Sequence, residues 1–383
     1  MKLELVAPHS PRVEQIWRGL EDRAKPVYFL TWGWVENWLA CLPALEAPQL
    51  AVINDDRGTP VAAAFLRRRW LRRHGVLPSR AVYLNTVGDH AYDEIYIEHN
   101  GLLSTGDVTL ARFVEQLEGA WDELFMPALE ARAFAELADD FTTSAIGKRY
   151  RLRVDREVGD HYVDLAKVRA KDYLSILGSS TRAQLRKAQR LAPDAVFEIA
   201  ADETQAVAFY DELVELHGRA WQAKGQSGAF ADPWFDKFHR RLVAKRFAHG
   251  EIQLVRLRTP KETLGCLYNY VSHGRVLVYQ TGINPDVDKN LKPGFFTHLF
   301  AVEHNAKAGH ATYDFLGGDA QYKKSLGTDE TKLVWARVQR KHLRFALEDR
   351  AREWVRARRA RNETATEKTD AARPAAASAR SSS

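Results

Sequence analysis

The chain has 383 residues, a formal net charge of +6 and 45% hydrophobic residues, including ten tryptophans. This length exceeds that of one average domain and predicts two modules of roughly 150 to 200 residues each. No stretch approaches the roughly 20 uninterrupted apolar residues of a membrane helix, and the first residues lack the apolar segment of a signal peptide, so we expect a cytoplasmic protein.

The positive charge is concentrated near the C-terminus. Nine Lys/Arg and three acidic residues lie between Arg340 and Arg361, which accounts for the whole net charge of +6. This segment predicts a basic helix over residues 341–361, followed by a disordered tail over 362–383 that is rich in Ala, Ser, Thr and Arg. Because the rest of the chain is formally neutral, no DNA partner is expected.

Several kinds of chemistry lack their sequence motif. The two cysteines, Cys41 and Cys266, form no C-x-x-C pair and are predicted to be buried free thiols. No Gly-x-Gly-x-x-Gly, Walker loop, His-Glu-x-x-His or Gly-x-Ser-x-Gly pattern appears in the sequence. These absences argue against dinucleotide, nucleoside triphosphate, zinc-protease and serine-hydrolase chemistry, and no metal is expected.

The first half reads as strands alternating with helices. Residues 1–25 predict a strand and then a helix. Residues 31–39 predict a helix capped by Thr31, whose tryptophans belong either to the core or to the lining of an acceptor groove. Strands at 50–53 and 61–66 flank a turn and predict a hairpin.

The arginine-rich stretch 67–73 follows that hairpin. It reads as a solvated hairpin end or strand edge in preference to a polyanion site. Further elements of this half are strands near 81–84, 93–97, 128–130 and 150–154, and a helix over 108–124.

The second half opens with a strand at 161–165. Its expected helices cover 171–177, 179–190 with Ser179 or Ser180 as cap, 204–221 and 235–248. Its expected strands cover 196–199, 251–257, 264–271, 276–280, 311–316 and 331–338.

Residues 276–335 organise the chain. A strand, a glycine-containing loop at 292–294, a helix over 295–304 and another strand form one βαβ unit. The N-terminus of a helix presents unpaired N–H groups and the positive end of the dipole, and Gly294 lets an anion approach the backbone. The loop is therefore a candidate phosphate cradle.

A set of motifs in this half resembles a known family. The motifs are Ser179-Ser180-Thr181-Arg182, residues 217–221 with Gly225, Pro293-Gly294 before a helix, residues 313–319, and Tyr322-Lys323. They resemble the CelD/BcsL group of the GNAT acyltransferase superfamily, which carries a BioF2-like acetyltransferase domain and is related to the Fem peptidyltransferases. The usual GNAT loop, Gln or Arg followed by x-x-Gly-x-Gly/Ala, is replaced here by residues 291–294.

The resemblance implies an α/β fold with a mixed α+β sheet and two tandem GNAT-like modules, the first of them a candidate for a degenerate copy. The expected modules cover 1–158 and 159–340. The implied co-substrate is acetyl-CoA or another acyl-CoA, with no metal.

The resemblance also assigns roles to individual residues. Pyrophosphate would bind Lys292, Gly294, Phe295 and Phe296, and pantetheine would pack on the strand that contains Tyr279. The catalytic candidates are Asp314 as the first choice for proton acceptor, His217 as the second, Tyr322 and Lys323. The candidates for substrate binding are Arg182, Arg186, Arg219, Trp221 and Asp319.

Each assignment has a structural alternative. Asp314 can cap the next turn, and a lone histidine such as His217 is more often a satisfied structural residue. Tyr322 and Lys323 can be a structural pair, and the cations of the 179–190 helix can form an ordinary exposed face.

Three functions remain open from the sequence. The first is an acyl-CoA-dependent N- or O-acyltransferase of cell-surface polysaccharide or envelope biosynthesis, with a small-molecule or glycan acceptor and peripheral contact with membrane-associated machinery. The second is a Fem-like transferase that takes its donor from aminoacyl-tRNA, with the basic helix over 341–361 as a phosphate-binding arm. The third is an assembly subunit that keeps the fold without donor binding.

Overall fold

The computed structural model describes residues 1–350 except 74–76, 96, 107, 344, 346 and 349. Within them, thirteen strands form one mixed sheet. The strands are β1 Lys2–Val6, β2 Gln49–Asn54, β3 Pro60–Arg73, β4 Leu77–Leu84, β5 Leu103–Ser104, β6 Glu123–Glu130, β7 Tyr150–Asp164, β8 Val196–Ile199, β9 Ile252–Arg258, β10 Thr263–Ser272, β11 Arg275–Ile283, β12 Thr312–Gly317 and β13 Asp329–Arg340.

The helices lie between these strands in mixed order. They are α1 Arg12–Ala24, α2 Trp32–Cys41, α3 His90–Asp93, α4 Leu110–Glu115, α5 Ala131–Thr143, α6 Ile146–Arg149, α7 Leu165–Ala170, α8 Tyr173–Ile176, α9 Ser179–Leu191, α10 Glu203–Gln222, α11 Pro233–Arg246, α12 Pro293–Lys307 and α13 Gln321–Leu326. None of the described helices combines the length and apolar character that crossing a membrane requires.

The order of strands shows an internal duplication. The sheet runs β1-β2-β3-β4-β6-β13-β7-β12-β11-β10-β9-β8. In the first half, antiparallel strands β1 to β4 end in the parallel pair β4–β6. In the second half, antiparallel strands β8 to β11 end in the parallel pair β11–β12. The predicted mixed α/β fold is confirmed, and two equivalent modules follow from the topology.

Two long strands join the modules at the middle of the sheet. β7 pairs with β12, and β13 pairs with both β6 and β7, all antiparallel. The last strand in the sequence therefore completes the first module, and β7 completes the second. The expected boundary after residue 158 lies inside β7.

Three apolar clusters build the core. One contains residues of α1, α2, α10 and α11 and extends across both modules, and the other two cover the opposite sheet face of one module each. Successive side chains of β3 point to opposite faces of the sheet. Ala63 and Phe65 belong to the cluster that both modules share, whereas Ala62 and Ala64 belong to the second cluster.

Helix α2 is a core helix. Its Trp34 ring packs 5.0 Å from that of Phe238 on α11, and Asn37 Nδ2 donates to Phe238 O at 3.0 Å. Thr31 caps it by accepting from Trp34 N–H, as predicted. The alternative of a groove-lining helix is wrong, since Trp34 and Trp38 are 1% and 3% exposed.

Two predictions for the first module are wrong. The strand expected over 93–97 is not seen in the described residues of that range, because Asp93 ends helix α3 and its carboxylate accepts the N–H groups of Val87, Gly88 and Asp89. The helix expected over 108–124 is reduced to α4, and the chain from Glu123 onward is strand β6.

Smaller differences concern the ends of the second module. Gly178 occupies the cap position of α9 without a side-chain bond, so neither predicted serine caps it.

Cys41 and Cys266 are free thiols. The predicted basic helix over 341–361 lies outside the described residues from residue 351 onward. The predicted tail over 362–383 lies outside them entirely.

Candidate active site

The parallel strands of the second module separate into a V-shaped opening. β11 and β12 are paired only from Arg275–Thr312 to Leu277–Asp314. β11 nevertheless continues to Ile283 and β12 to Gly317. Beyond the last pair, the strands therefore diverge.

The edge of β11 that faces this opening carries backbone groups outside the ladder. Asn284 N–H donates to Leu264 O, and Thr281 lies opposite Leu267 in the same register. Bonded and non-bonded pairs alternate in an antiparallel ladder, so Thr281 belongs to a non-bonded pair and directs its N–H and C=O away from β10. The register shifts between Gln280 and Val278, which makes Tyr279 the extra residue of a bulge.

His217 on α10 reaches this open edge. Its Nδ1 lies 3.1 Å from Thr281 O. Because a carbonyl only accepts, Nδ1 carries the proton and Nε2 holds the lone pair. Burial lowers the pKa of His217, so the ring is neutral at pH 7. Nε2 is buried without a hydrogen-bond partner. A neutral imidazole with a fixed tautomer is thus positioned at the opening.

Glycines bring the elements around His217 into close contact. A Cβ on Gly282 would lie 2.4 Å from Leu213 O, so α10 packs directly on β11. Gly228, with φ +75°, covers the His217 ring, since a Cβ there would lie 3.1 Å from Nε2. The loop before α11 therefore closes over the imidazole.

The N-terminus of α12 follows β11 and forms an anion cradle. Its cap residue, Lys292, has φ 46° and makes no side-chain cap bond. Gly294 is open, because the nearest atom to an added Cβ is Ile283 Cγ1 at 3.7 Å. Phe296 N–H donates to Lys292 O at 2.9 Å, and its ring is fully buried. The cradle thus consists of Lys292, Gly294 and Phe295, and the prediction for Phe296 is wrong.

Basic residues of α9 lie beside the cradle. Lys187 Nζ donates to Asn290 Oδ1 at 2.7 Å, in the turn just before α12. Arg182, which is half-buried, and Arg186, which is exposed, share this helix. Arg219 pairs with Asp286 of the same loop and is thereby a loop anchor. The positive charge near the cradle favours a phosphorylated ligand.

Chain from the first module closes the narrow end of the opening. Tyr279 Oη donates to Ile95 O at 2.5 Å, and Glu98 Oε2 accepts from Gly317 N–H at 2.6 Å. Ile95 and Glu98 therefore contact β11 and β12, respectively, just beyond their last pair. The wide end, from Thr281 to the cradle, is not bridged by these bonds.

A buried polar cluster lies at that narrow end. His99, Asp160 and Asp314 place one ligand atom each within 4.8 Å of one another. Burial and the neighbouring Asp314 carboxylate raise the pKa of Asp160 to about 8. Burial opposes the charge on His99, yet the carboxylates of Asp314 and Glu130 raise its pKa to about 10. Burial alone would raise the pKa of Asp314, but His99 and Arg275 outweigh it and hold this pKa well below its usual range.

The environment of Asp314 does not suit its predicted role. It lies inside β12, not at the strand end, and it is fully buried. Oδ2 accepts from Arg275 Nη2 at 2.9 Å, and Oδ1 accepts from Leu316 N–H at 2.8 Å. A carboxylate with both oxygens bonded and a lowered pKa is a weak proton acceptor. His217, the second choice, has the better geometry.

Three of the remaining predicted residues, Tyr322, Lys323 and Asp319, lie apart from the open edge. Tyr322 stacks on His298 with ring centroids 5.6 Å apart, and Lys323 Nζ donates to Leu316 O and Gly317 O at 3.0 and 2.8 Å. Both therefore hold the β12–α13 connection. Asp319 is exposed, 3.8 Å from Lys324. Trp221 packs beside His217, with ring centroids 5.7 Å apart.

Sequence reasoning missed most of the buried cluster. His99, Asp160, Arg275 and Glu130 come from four separate segments without any motif spacing. Glu130 alone lies within an expected strand, the one near 128–130.

Comparisons with known proteins agree with this topology. Residues 179–324 match the family model described as acetyltransferase (GNAT) domain. Among curated proteins, none matches the chain. The structure of FemX has a TM-score of 0.57 at 11% identity, covering 90% of this chain and 98% of its own. A conserved protein of unknown function from Bacteroides thetaiotaomicron has a TM-score of 0.55 at 12% identity, covering 89% and 100%. The chain therefore has a GNAT acyltransferase fold that is similar to the structure of FemX, and its residues 179–324 match a GNAT acetyltransferase domain.

Proposed function

We propose that this chain is an acyltransferase whose donor, acetyl-CoA or another acyl-CoA, binds the V-shaped opening of the second module. The observation that carries the proposal is the continuity of the open β11 edge with the uncapped start of α12. Backbone groups at Thr281 and Ile283 face the pantetheine amides, and N–H groups of Gly294 and Phe295 face the pyrophosphate.

His217 is the proposed general base. An amine or hydroxyl of the acceptor attacks the thioester carbonyl, the C–S bond breaks, and the acceptor proton passes to His217 Nε2 and then to the departing thiolate. The Nδ1–H bond to Thr281 O keeps Nε2 unprotonated before the reaction and stabilises the imidazolium afterwards. No covalent enzyme intermediate is required.

The acceptor class follows from the sequence resemblance. The CelD/BcsL-like motifs support a sugar or glycan acceptor of cell-surface polysaccharide or envelope biosynthesis, acylated on nitrogen or oxygen. Trp221, half-buried beside His217, offers an aromatic face of the kind that packs on sugar rings or acyl chains.

Hydrogen exchange with and without acetyl-CoA tests the donor site. The proposal predicts slower exchange over residues 278–296, and unchanged exchange over residues 77–93 in the first module. Unchanged exchange over 278–296 at millimolar acetyl-CoA and longer acyl-CoAs contradicts it.

A second candidate is a transferase that takes its donor from aminoacyl-tRNA. The observation that favours it is the β3–β4 hairpin, where Trp70 is 74% exposed between Arg69 and exposed Arg72. Exposed aromatic and basic side chains together suit a nucleic-acid surface. If acyl-CoA fails to bind, aminoacyl-tRNA is the donor to test, with Trp70→Ala and the salt dependence of binding as readouts.

A further inference from the structure

The buried cluster between the modules contains unsatisfied polar atoms. Among the described residues, Asp160 is the only carboxylate with both oxygens buried and without a hydrogen-bond partner, and it is 0% exposed. His99 Nε2, on a side chain that is 1% exposed, also has no partner. Buried groups of this kind are costly unless a further group satisfies them.

The distances between these atoms fit a cation better than hydrogen bonds. His99 Nε2 lies 3.4 Å from Asp314 Oδ2 and 3.6 Å from Asp160 Oδ2. Zinc–ligand bonds of about 2.0–2.2 Å at tetrahedral angles place ligand atoms about 3.3–3.6 Å apart. The two distances from His99 Nε2 therefore match those between the ligands of one ion, and the three ligand atoms lie within 4.8 Å of one another.

The surroundings orient the histidine for such an ion. His99 Nδ1 lies 2.9 Å from Glu130 Oε1, so Nδ1–H donates to that carboxylate and Nε2 faces Asp160 and Asp314. A carboxylate behind a histidine is the usual outer partner of a metal-binding imidazole. Arg275 donates to both Glu130 and Asp314 and holds them in place.

The side chains of the region also suit a divalent cation. Apart from His99, four carboxyl groups and two basic groups surround the cluster, an excess of two acidic groups. The six groups are Glu98, Glu130, Asp160, Asp314, Arg275 and Lys323.

Two cavities border the cluster at His99. They have volumes of about 440 and 340 Å³, and both are lined by His99, Glu130 and Arg275.

We propose that His99, Asp160 and Asp314 form a binding site for one divalent transition-metal ion of the Zn²⁺ class. The mixture of one imidazole and two carboxylates suits Zn²⁺, with Mn²⁺ as a weaker alternative. The ligands come from residues 97–101 of the first module, from β7 and from β12. The ion therefore ties the two modules together at the narrow end of the opening. The site is independent of the acyl donor.

The test uses full-length protein treated with a chelator, dialysed, and reloaded with Zn²⁺, Co²⁺ or Mn²⁺ in the absence of any thioester. We expect one zinc per chain by mass spectrometry of the metal content and a rise in Tm of roughly 5 °C at saturating zinc. Co²⁺ is expected to give the intense visible absorption of a four-coordinate site. Less than one-fifth of a zinc per chain, with an unchanged Tm, overturns the proposal.

Variants locate the site. Asp160→Asn is expected to weaken zinc binding roughly 100-fold or more, and Glu130→Gln roughly 10- to 100-fold. His298→Gln is the matched control, because His298 is a buried histidine bonded to Tyr313 Oη at 2.9 Å and faces no carboxylate of the cluster. Equal zinc content in Asp160→Asn and wild type overturns the assignment. If Asp160→Asn does not fold, Glu130→Gln and the wild-type cobalt spectrum decide.

Discussion

The two modules share one topology, but different groups occupy the V-shaped openings between their parallel strands. In the first module, β4 and β6 are paired only from Ala81–Glu123 to Tyr83–Phe125. Asn100 then fills the space between them, because its N–H donates to Ala128 O and its Nδ2 donates to Leu84 O at 3.1 Å. In the second module, the corresponding edge at Thr281 is contacted by His217 instead.

The helix that follows each opening differs in the same way. In the first module it is α3, a four-residue helix capped by Asp89. The carboxylate of Asp93 takes the N–H groups of Val87, Gly88 and Asp89. Two carboxylates at a helix start exclude a phosphate. In the second module, α12 has fifteen residues and an uncapped start at Lys292. The two modules thus share the sheet, and only the second has a candidate anion cradle at the start of the following helix.

The largest expected effect is at His217. His217→Ala is expected to lower kcat by roughly 100- to 1,000-fold with little change in KM for the donor, since it removes the proton acceptor. The control is His304→Ala, on the same module but on α12. In a thiol-release assay, a decrease in kcat of less than threefold for His217→Ala would show that another group is the general base.

The pH profile sharpens that assignment. Burial and the charge of Lys224 lower the pKa of His217, and the Thr281 carbonyl only partly opposes them. The free base therefore persists below pH 6.5, and the rate is expected to fall only at lower pH, as the imidazole is protonated. His217→Ala is expected to lose this acid limb. A limb above pH 6.5 in wild type contradicts the account.

Displacing α10 is expected to have the next largest effect. A methyl group on Gly282 meets Leu213 O at 2.4 Å, so Gly282→Ala moves α10 and His217 with it. Such misplacement is expected to lower kcat by roughly 10- to 100-fold. Gly218→Ala, next to His217 but with open space around it, is the matched control. Equal activity of the two variants contradicts close packing as the means of positioning His217.

The filled opening of the first module gives a stability prediction. Asn100→Ala removes the hydrogen bonds of its side chain to Leu84 O, Asn85 Nδ2 and Gly101 N–H, of which Asn85 Nδ2 keeps a bond to Gly101 O. It is expected to lower the free energy of unfolding by roughly 2 to 3 kcal/mol in urea denaturation. The affinity for the donor is expected to stay unchanged. A gain or loss of donor binding contradicts a purely structural first module.

The smallest effect is expected at the basic helix α9. Lys187→Ala removes a charge and the bond to Asn290 beside the cradle. The Kd for the donor is expected to rise roughly two- to fivefold at low salt and less at high salt, because the side chain is exposed. Lys237→Ala, an exposed lysine on α11, is the control. Equal Kd values for the two variants would contradict the placement of α9 beside the donor site.

Local patterns predicted much of the fold. The β2–β3 hairpin, α2 with its Thr31 cap, and the β11–α12–β12 unit follow from periodicity, turn residues and caps, which act within a few residues. The pairing of β13 with β6 did not follow, because it joins segments about 200 residues apart. The α4 region was mistaken for a longer helix because its apolar residues fit either period.

The site was predictable only where it lies on one continuous segment. Lys292 and Gly294 follow from the loop before α12, and His217 from its position before a glycine-rich loop. Whether His217 or Asp314 is the better proton acceptor depends on burial and on bonding partners such as Arg275. The spacing of residues in the sequence does not encode either of these. The same holds for His99 and Asp160, which meet only when both modules are assembled.

The most direct test of the difference between the two modules is a calorimetric titration of acetyl-CoA into three proteins. They are wild type, Gly294→Trp in the first turn of α12, and His90→Trp in the first turn of α3. The account predicts micromolar binding by wild type and His90→Trp, and no detectable binding by Gly294→Trp. Binding that survives in Gly294→Trp, or that is lost in His90→Trp, contradicts the assignment of the donor site to the second module.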